Sequence, residues 1–513
     1  MNALLMHKDR DFDMQAPLPW NESDLRQDLE LDVLFDAMAS GDPFLRETAL
    51  HAMLSPEVSP EAILYRRAIL KDCLANPQLV KQLYDLSVEV FQKEKKHYFG
   101  IFTRYPSAIL GSAVDVMTML VEMLARLRCF ADRHAEKFTS EGFSSLFSML
   151  RGELADDYLD SIREHLRTLK FRTGVLVSAS LGEGDKGADY TLRKPKRREN
   201  IFTWLYTWLF SERSQAFSFY IAERDESGAK AVAELRDRGI SLAANALAQS
   251  AQHVIGFFRT LRLELSFYIG CMNLYDRLVR KGEPVCFPEP LPFGAPRLLF
   301  KGLVDASLSL RMDERAVGND VDADDKRLVV ITGANQGGKT TFLRSVGAAQ
   351  LMMQCGMFVP ARSFRASVCE TFFTHWRREE DSTMKSGKFD EELSRMSRIA
   401  DSLSSRSLML FNESFAATNE REGSEIARQI VTALMAKGVR ALFVTHMYDF
   451  AGGMFERRLE SALFLRAERR EDGKRTYRLS EGEPLKTSFG EDLYKRIFET
   501  ADKKAPEANA EGV

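Results

Sequence analysis

Residues 331–347 read ITGANQGGKTTFLRSVG, with glycines at 333, 337 and 338, a lysine at 339 and threonines at 340 and 341. Gly333 to Thr340 satisfy G-x-x-x-x-G-K-[ST] without a mismatch. The stretch before it, RLVVITG, reads as a buried strand, and KTTFLRSVGAAQLMMQCG after it reads as a helix. That strand–loop–helix context makes the pattern a phosphate loop, because glycines let backbone N–H groups close around phosphate oxygens at a helix N-terminus. Gly333, Ala334, Asn335, Gln336, Gly337, Gly338, Lys339, Thr340 and Thr341 are the expected nucleotide-binding residues. Lys339 is expected to reach the β and γ phosphates, and Thr340 to offer its hydroxyl to Mg²⁺.

Downstream, SLMLFNE (407–413) reads as a strand, REGSEIARQIVTALMAKG (421–438) as a helix and RALFVTH (440–446) as a strand. Strands alternating with helices predict a mainly parallel α/β sheet. Upstream, GEPVCFPEPLPFGAP (282–296) is proline-rich and reads as a linker. Residues 241–281 hold no proline, and Val254, Phe258, Leu261, Leu265, Tyr268, Met272, Tyr275 and Val279 recur at helical steps. At about 1.5 Å per residue this is a long helical strut.

From about 30 to 170 the pattern is helical; Leu79, Leu83, Leu86 and Val90 form one stripe after the start signal Asn76-Pro77. Near 173 the period changes, and residues 173–198 read as a β-hairpin. It ends in Arg193, Lys194, Lys196, Arg197 and Arg198, a cation cluster suited to displacing counterions from DNA phosphates and equally suited to a solvated loop.

The formal net charge of −3 excludes a globally basic nucleic-acid binder but not a local basic patch. Six cysteines without CxxC spacing argue against zinc and disulfides and fit a cytoplasmic setting. No signal peptide is expected at the N-terminus. AILGSAVDVMTMLVEMLARL (108–127) is interrupted by Asp115, Glu122 and Arg126, so a buried helix is expected there and no membrane partner.

Several motifs resemble the MutS family in order and spacing. TGANQGGKTTFLR is similar to its TGPNMGGKST[FY][ML]R, GMFVPA (356–361) to its G-x-[YF]-V-P-A, and FVTHMYDF (443–450) to its F-[AV]-T-H-[YF]-x-[ED]-L. TSFGEDLYKRIF (487–498) resembles its late S-[YF]-G helix, and the segment 379–396 aligns with DDLASGRSTFMVEM, matching at Phe389 and Glu392. The resemblance implies an α/β P-loop ATPase domain, ABC-like with a mainly parallel sheet, preceded by an all-α core and lever domain with a short β-hairpin insertion. The expected boundaries are an N-terminal segment 1–29, helical core and lever 30–281, linker 282–299, ATPase domain 300–501 and a disordered tail 502–513.

It further implies ATP and Mg²⁺ as cofactors, a homodimer, and DNA of unspecified form as partner. Glu413 is then the carboxylate that orients or deprotonates the attacking water, and His446 stands at the family's switch histidine. The serine that crosses the family's dimer interface aligns with Gly387, beside Ser386. Where the family has an Mg²⁺-supporting aspartate, this chain has Asn412, so weakened metal binding with slow, retained hydrolysis is expected. His375 is expected to be structural. The family's mismatch readers carry N-terminal mixed domains with a Phe-x-Glu wedge, for which the helical sequence from about residue 30 leaves no room, so base intercalation is not expected. The expected function is ATP-dependent binding of DNA structure in repair or recombination. The alternative is an ATP-gated protein scaffold with little hydrolysis or DNA affinity.

Overall fold

The computed structural model describes residues 1–97, 105–172, 174–193, 218–378, 387–470 and 475–486. The chain forms two compact units. One comprises Met1–Ala3, Gln78–Phe138 and Phe143–Arg262; the other comprises Leu4–Pro77, Thr139–Gly142 and Leu263–Val513. This division departs from the chain boundaries expected above, because the early helices share the second unit with the phosphate-loop sheet.

The first unit is helical. The helix Pro77–His97 opens on proline, whose missing N–H costs nothing at a first position, and buries Val80, Leu83, Leu86 and Val90. The helix Pro106–His134 buries Val114, Met117, Leu120, Val121, Leu124 and Leu127. Two of the three interrupting charges are paired: Arg126 lies 2.8 Å from Glu89, and Asp115 lies 3.8 Å from Lys170. By length and composition it is the one described helix apolar enough to cross a membrane, and 56% of its most apolar window is buried.

The hairpin is present. Strand β1 (Leu176–Leu181) pairs antiparallel with β2 (Gly187–Arg193), with a register shift between Ser178 and Ser180. Arg193 donates from Nε to Ser178 Oγ at 2.8 Å; Lys194, Lys196, Arg197 and Arg198 lie outside the described residues. The long helix is Glu226–Arg280, with 55 residues. Its apolar stripe ends one position early, with Leu278 buried and Val279 46% exposed.

In the second unit the run 282–299 is not a free linker. It contains β3 (Glu289–Leu291) and the start of β4 (Leu298–Leu303), which join β5 (Asn319–Asp322) and β7 (Ser363–Ser367) in a sheet of order β3-β7-β4-β5. Pro290 is tolerated because β3 lies at the edge, where no partner needs its missing donor.

The larger sheet uses β6 (Leu328–Gly333), β8 (Thr371–Trp376), β9 (Ser407–Asn412), β10 (Arg440–Val444), β11 (Ala462–Arg469) and β12 (Arg475–Glu481). Its order is β12-β11-β6-β10-β9-β8, parallel throughout except for β12. The central strands are near-continuous apolar runs because helices cover them. Val330, Phe411 and Phe443 pack with Met396, Val431 and Phe450 in one buried cluster. Behind the sheet, Arg344 pairs with Asp305 and Glu30, tying the helix after the phosphate loop to the early helices. The expected late helix 487–498 and tail 502–513 lie outside the described residues.

Candidate nucleotide site

The phosphate loop leaves β6 at Gly333 and enters the helix Lys339–Gln354 through Gly338, whose φ of 88° favours glycine. Gly337 is required for close approach: a Cβ there would lie 2.8 Å from both Ala334 O and Ala467 Cβ. Asn335 through Thr341 line a cleft of about 670 Å³. Gly333 and Ala334 sit behind it, their carbonyls accepting from Lys339 Nζ at 3.0 and 3.3 Å.

Lys339 is only 6% exposed, and burial lowers its pKa, with the Glu413 carboxylate at 4.0 Å opposing that shift. A buried ammonium with carbonyls and one distant carboxylate is under-compensated, and an anion in the cleft would complete its partners.

The acidic strand end stands beside this loop. Thr340 Oγ1 donates to Asn412 Oδ1 at 2.9 Å, bringing together the two residues expected at the metal. Asn412 presents an amide oxygen that accepts this hydrogen bond and carries no charge. Among the described residues no three His, Cys, Asp or Glu side chains converge as a metal site. The Thr340 hydroxyl and the Asn412 amide oxygen are donors that would fit Mg²⁺ alongside nucleotide phosphate oxygens.

Glu413 has a left-handed φ of 54°, and Phe415 one of 63°. Each costs roughly 1–3 kcal/mol that the surroundings must offset. Glu413 N donates to Val444 O at 2.9 Å. Its Oε2 accepts from His446 N at 3.1 Å and lies 2.5 Å from His446 Nδ1. That carboxylate raises the His446 pKa against partial desolvation. The two expected catalytic residues therefore form one pair.

His375 takes no part in the cleft. It is fully buried between Ser414 Oγ at 2.8 Å and Glu392 O at 3.0 Å, and burial lowers its pKa to about 3, so it is neutral. Sequence reading missed the rest of the cleft wall: Leu308, Met312, Val317, Asn319 and Tyr477. Asn319 Nδ2 donates to Tyr477 O at 3.3 Å, and Arg475 Nε lies 3.4 Å from Asn335 O. These residues belong to β5, β12, the short helix Ala306–Arg311 and the loop that follows it, none with a motif of its own.

Gly387 precedes the helix Lys388–Ser402 in extended conformation, and Ser386 lies outside the described residues. Of the cation cluster only Arg193 is described, in the first unit.

Two family models match the chain: the MutS2 N-terminal domain over residues 58–281 and MutS domain V over residues 329–497. Among curated proteins, the DNA mismatch repair protein MutS of Thermotoga sp. (strain RQ2) is 37% identical over 188 residues, covering 36% of this chain and 24% of that protein. The protein of that name from Thermotoga maritima gives the same identity and coverage. That from Porphyromonas gingivalis is 34% identical over 145 residues, covering 27% of this chain and 16% of that protein. The chain spans about a quarter or less of the length of the curated relatives it matches.

Proposed function

Because the chain belongs to the MutS family, we propose that it binds ATP in the 335–341 cleft, hydrolyses it slowly, and uses it as a homodimer to bind DNA structure in repair or recombination. The observation that carries the reading is the bond from Thr340 to Asn412 with Glu413 held beside Lys339. It assembles phosphate loop, metal-facing pair and carboxylate from two stretches of sequence, 333–341 and 412–413, with Thr340 and Asn412 72 positions apart.

In this reading the backbone amides of Asn335 to Gly338 and the Lys339 ammonium bind the phosphates. Thr340 and Asn412 would hold Mg²⁺, which when bound would supply charge neutralisation to the phosphates. Glu413 orients the attacking water and takes its proton. His446 engages Oε2 through both its backbone N–H and its ring, which leaves Oε1 toward Lys339. Replacement of an aspartate by Asn412 removes one negative charge from the metal shell and slows turnover without removing the base.

DNA enters the proposal from the relatives' printed name and from the cations at Arg193, Lys194, Lys196, Arg197 and Arg198. The test is ATP hydrolysis by the purified chain, together with salt-dependent binding to duplex, branched and single-stranded DNA. Neutralising the five cations is expected to weaken binding and flatten its salt slope, by up to about 0.9 per lost phosphate contact. Hydrolysis at background and DNA binding that ignores salt would overturn the reading.

A further inference from the structure

Left-handed backbone is unfavourable for any residue with a Cβ, yet the turn after β9 uses it at Glu413 and Phe415, on either side of Ser414. Besides the Glu413–Val444 bond, two buried side-chain contacts hold that turn. Phe415 N donates to Glu392 Oε2 at 2.9 Å. Ser414 Oγ donates to His375 O at 2.5 Å and lies 2.8 Å from His375 Nδ1. The carbonyl of Glu392 only accepts, so His375 Nε2 carries the ring proton and donates to it at 3.0 Å. The neutral ring then leaves Nδ1 an acceptor that shares the single Ser414 hydroxyl proton with His375 O, and Phe415 stacks on it with centroids 5.2 Å apart. Ser414, His375 and Phe415 are fully buried and Glu392 is 5% exposed.

The geometry points to Glu392, supported by His375, as a positioning residue for Glu413. Its carboxylate fixes the Phe415 amide, which keeps the turn left-handed and sets the Glu413 carboxylate against His446 and toward Lys339. Glu392 lies on the helix Lys388–Ser402, which starts just after Gly387. Any contact that orders the head of that helix is thereby passed to Glu413 through one hydrogen bond. This inference rests on the ATPase reading above and adds to it a route from the helix to the base.

The test compares Glu392→Ala, which removes the acceptor, with Glu392→Gln, which keeps one. Both are measured in the full chain for kcat, KM for ATP, and amide hydrogen exchange across residues 413–418. Glu392→Ala is expected to lower kcat about tenfold to a hundredfold, as a small misplacement of a base does, with KM changed less than about twofold. Exchange across the turn is expected to accelerate. Glu392→Gln is expected to stay within about threefold of the parent on kcat, because the acceptor oxygen is retained. Should Glu392→Ala lose its cooperative melt, Ser414→Ala gives the same comparison, with a kcat loss of about fivefold and an unchanged KM. Faster exchange with unchanged kcat overturns the inference, as does an equal loss of kcat in the Ala and Gln variants. A parent that hydrolyses no ATP defeats the ATPase reading alone. Exchange then decides: acceleration in Ala but not Gln upholds the pinning, and no difference overturns it.

Discussion

The loop 333–338 and the turn 413–415 both bend the chain through left-handed backbone beside one cleft, the loop mainly on glycine and the turn on no glycine at all. The loop places glycine at two of its left-handed positions, Gly333 and Gly338, which pay no Cβ penalty, and a residue with a Cβ at one, Gln336. Its supports come mostly from within the motif, where Lys339 Nζ reaches Gly333 O and Ala334 O. The turn uses Glu413 and Phe415, and it stays bent because Val444, Glu392 and His375 hold it. A loop built on glycine carries its geometry in its own sequence. A turn built against propensity borrows its geometry from residues up to 40 positions away, such as His375, separated by 39 from Ser414.

The strongest way to break this comparison is Glu413→Gln. The amide preserves shape and removes the base, so ATP binding is expected within about threefold of the parent while single-turnover hydrolysis falls about 10²–10⁴-fold. Equal turnover would mean that the turn positions nothing catalytic. Next comes Gly337→Ala, whose new Cβ would meet Ala334 O and Ala467 Cβ at 2.8 Å. Thermal unfolding is expected to show a loss of about 1–3 kcal/mol, and an unchanged midpoint would show that the loop tolerates side chains after all.

Asn412→Asp sharpens the contrast on the metal side. A carboxylate in place of an amide makes the contact charge-assisted and about twice as strong. The Mg²⁺ concentration for half-maximal ATPase is expected to fall, with nucleotide preference unchanged; superimposable titrations would place Asn412 outside the metal shell.

The smallest effect is the pH dependence of the Glu413–His446 pair. The folded pKa of His446 is raised, so the pair's stabilisation is complete below the unfolded value of about 6.5 and is lost as pH rises through the folded value. With His446 42% exposed, solvent screening holds the contribution below about 1 kcal/mol. In the nucleotide-free protein, His446→Gln is expected to flatten the melting temperature against pH above that range, and parallel curves would show that the pair contributes nothing.

The phosphate loop, its flanking strand and helix, the strands β9 and β10 and the hairpin were legible because each follows from local periodicity or a local pattern, whereas β8 and β11 of the same sheet were not read. Thr340 meeting Asn412 was legible only through the family resemblance, since 72 residues separate them. The edge strand Glu289–Leu291 was not legible, because a proline-rich run looks the same in a linker and at a sheet edge. Nor was the membership of Leu4–Pro77 in the second unit, which depends on distant contacts such as Glu264 accepting from Leu5 N at 2.6 Å and Phe12 N at 2.9 Å. Tyr477 and Asn319 at the cleft wall had no signal at all, because their place is set by strand register.

The most direct test is an ATP titration of the parent chain and Lys339→Ala. The buried ammonium is the one cation the phosphate loop itself supplies, and charged hydrogen bonds of this kind are worth about 1.5–3 kcal/mol each. The parent is expected to bind ATP saturably, and Lys339→Ala to bind about 100-fold more weakly while keeping its melting transition. Superimposable binding curves for the two proteins would contradict the assignment of this cleft to nucleotide.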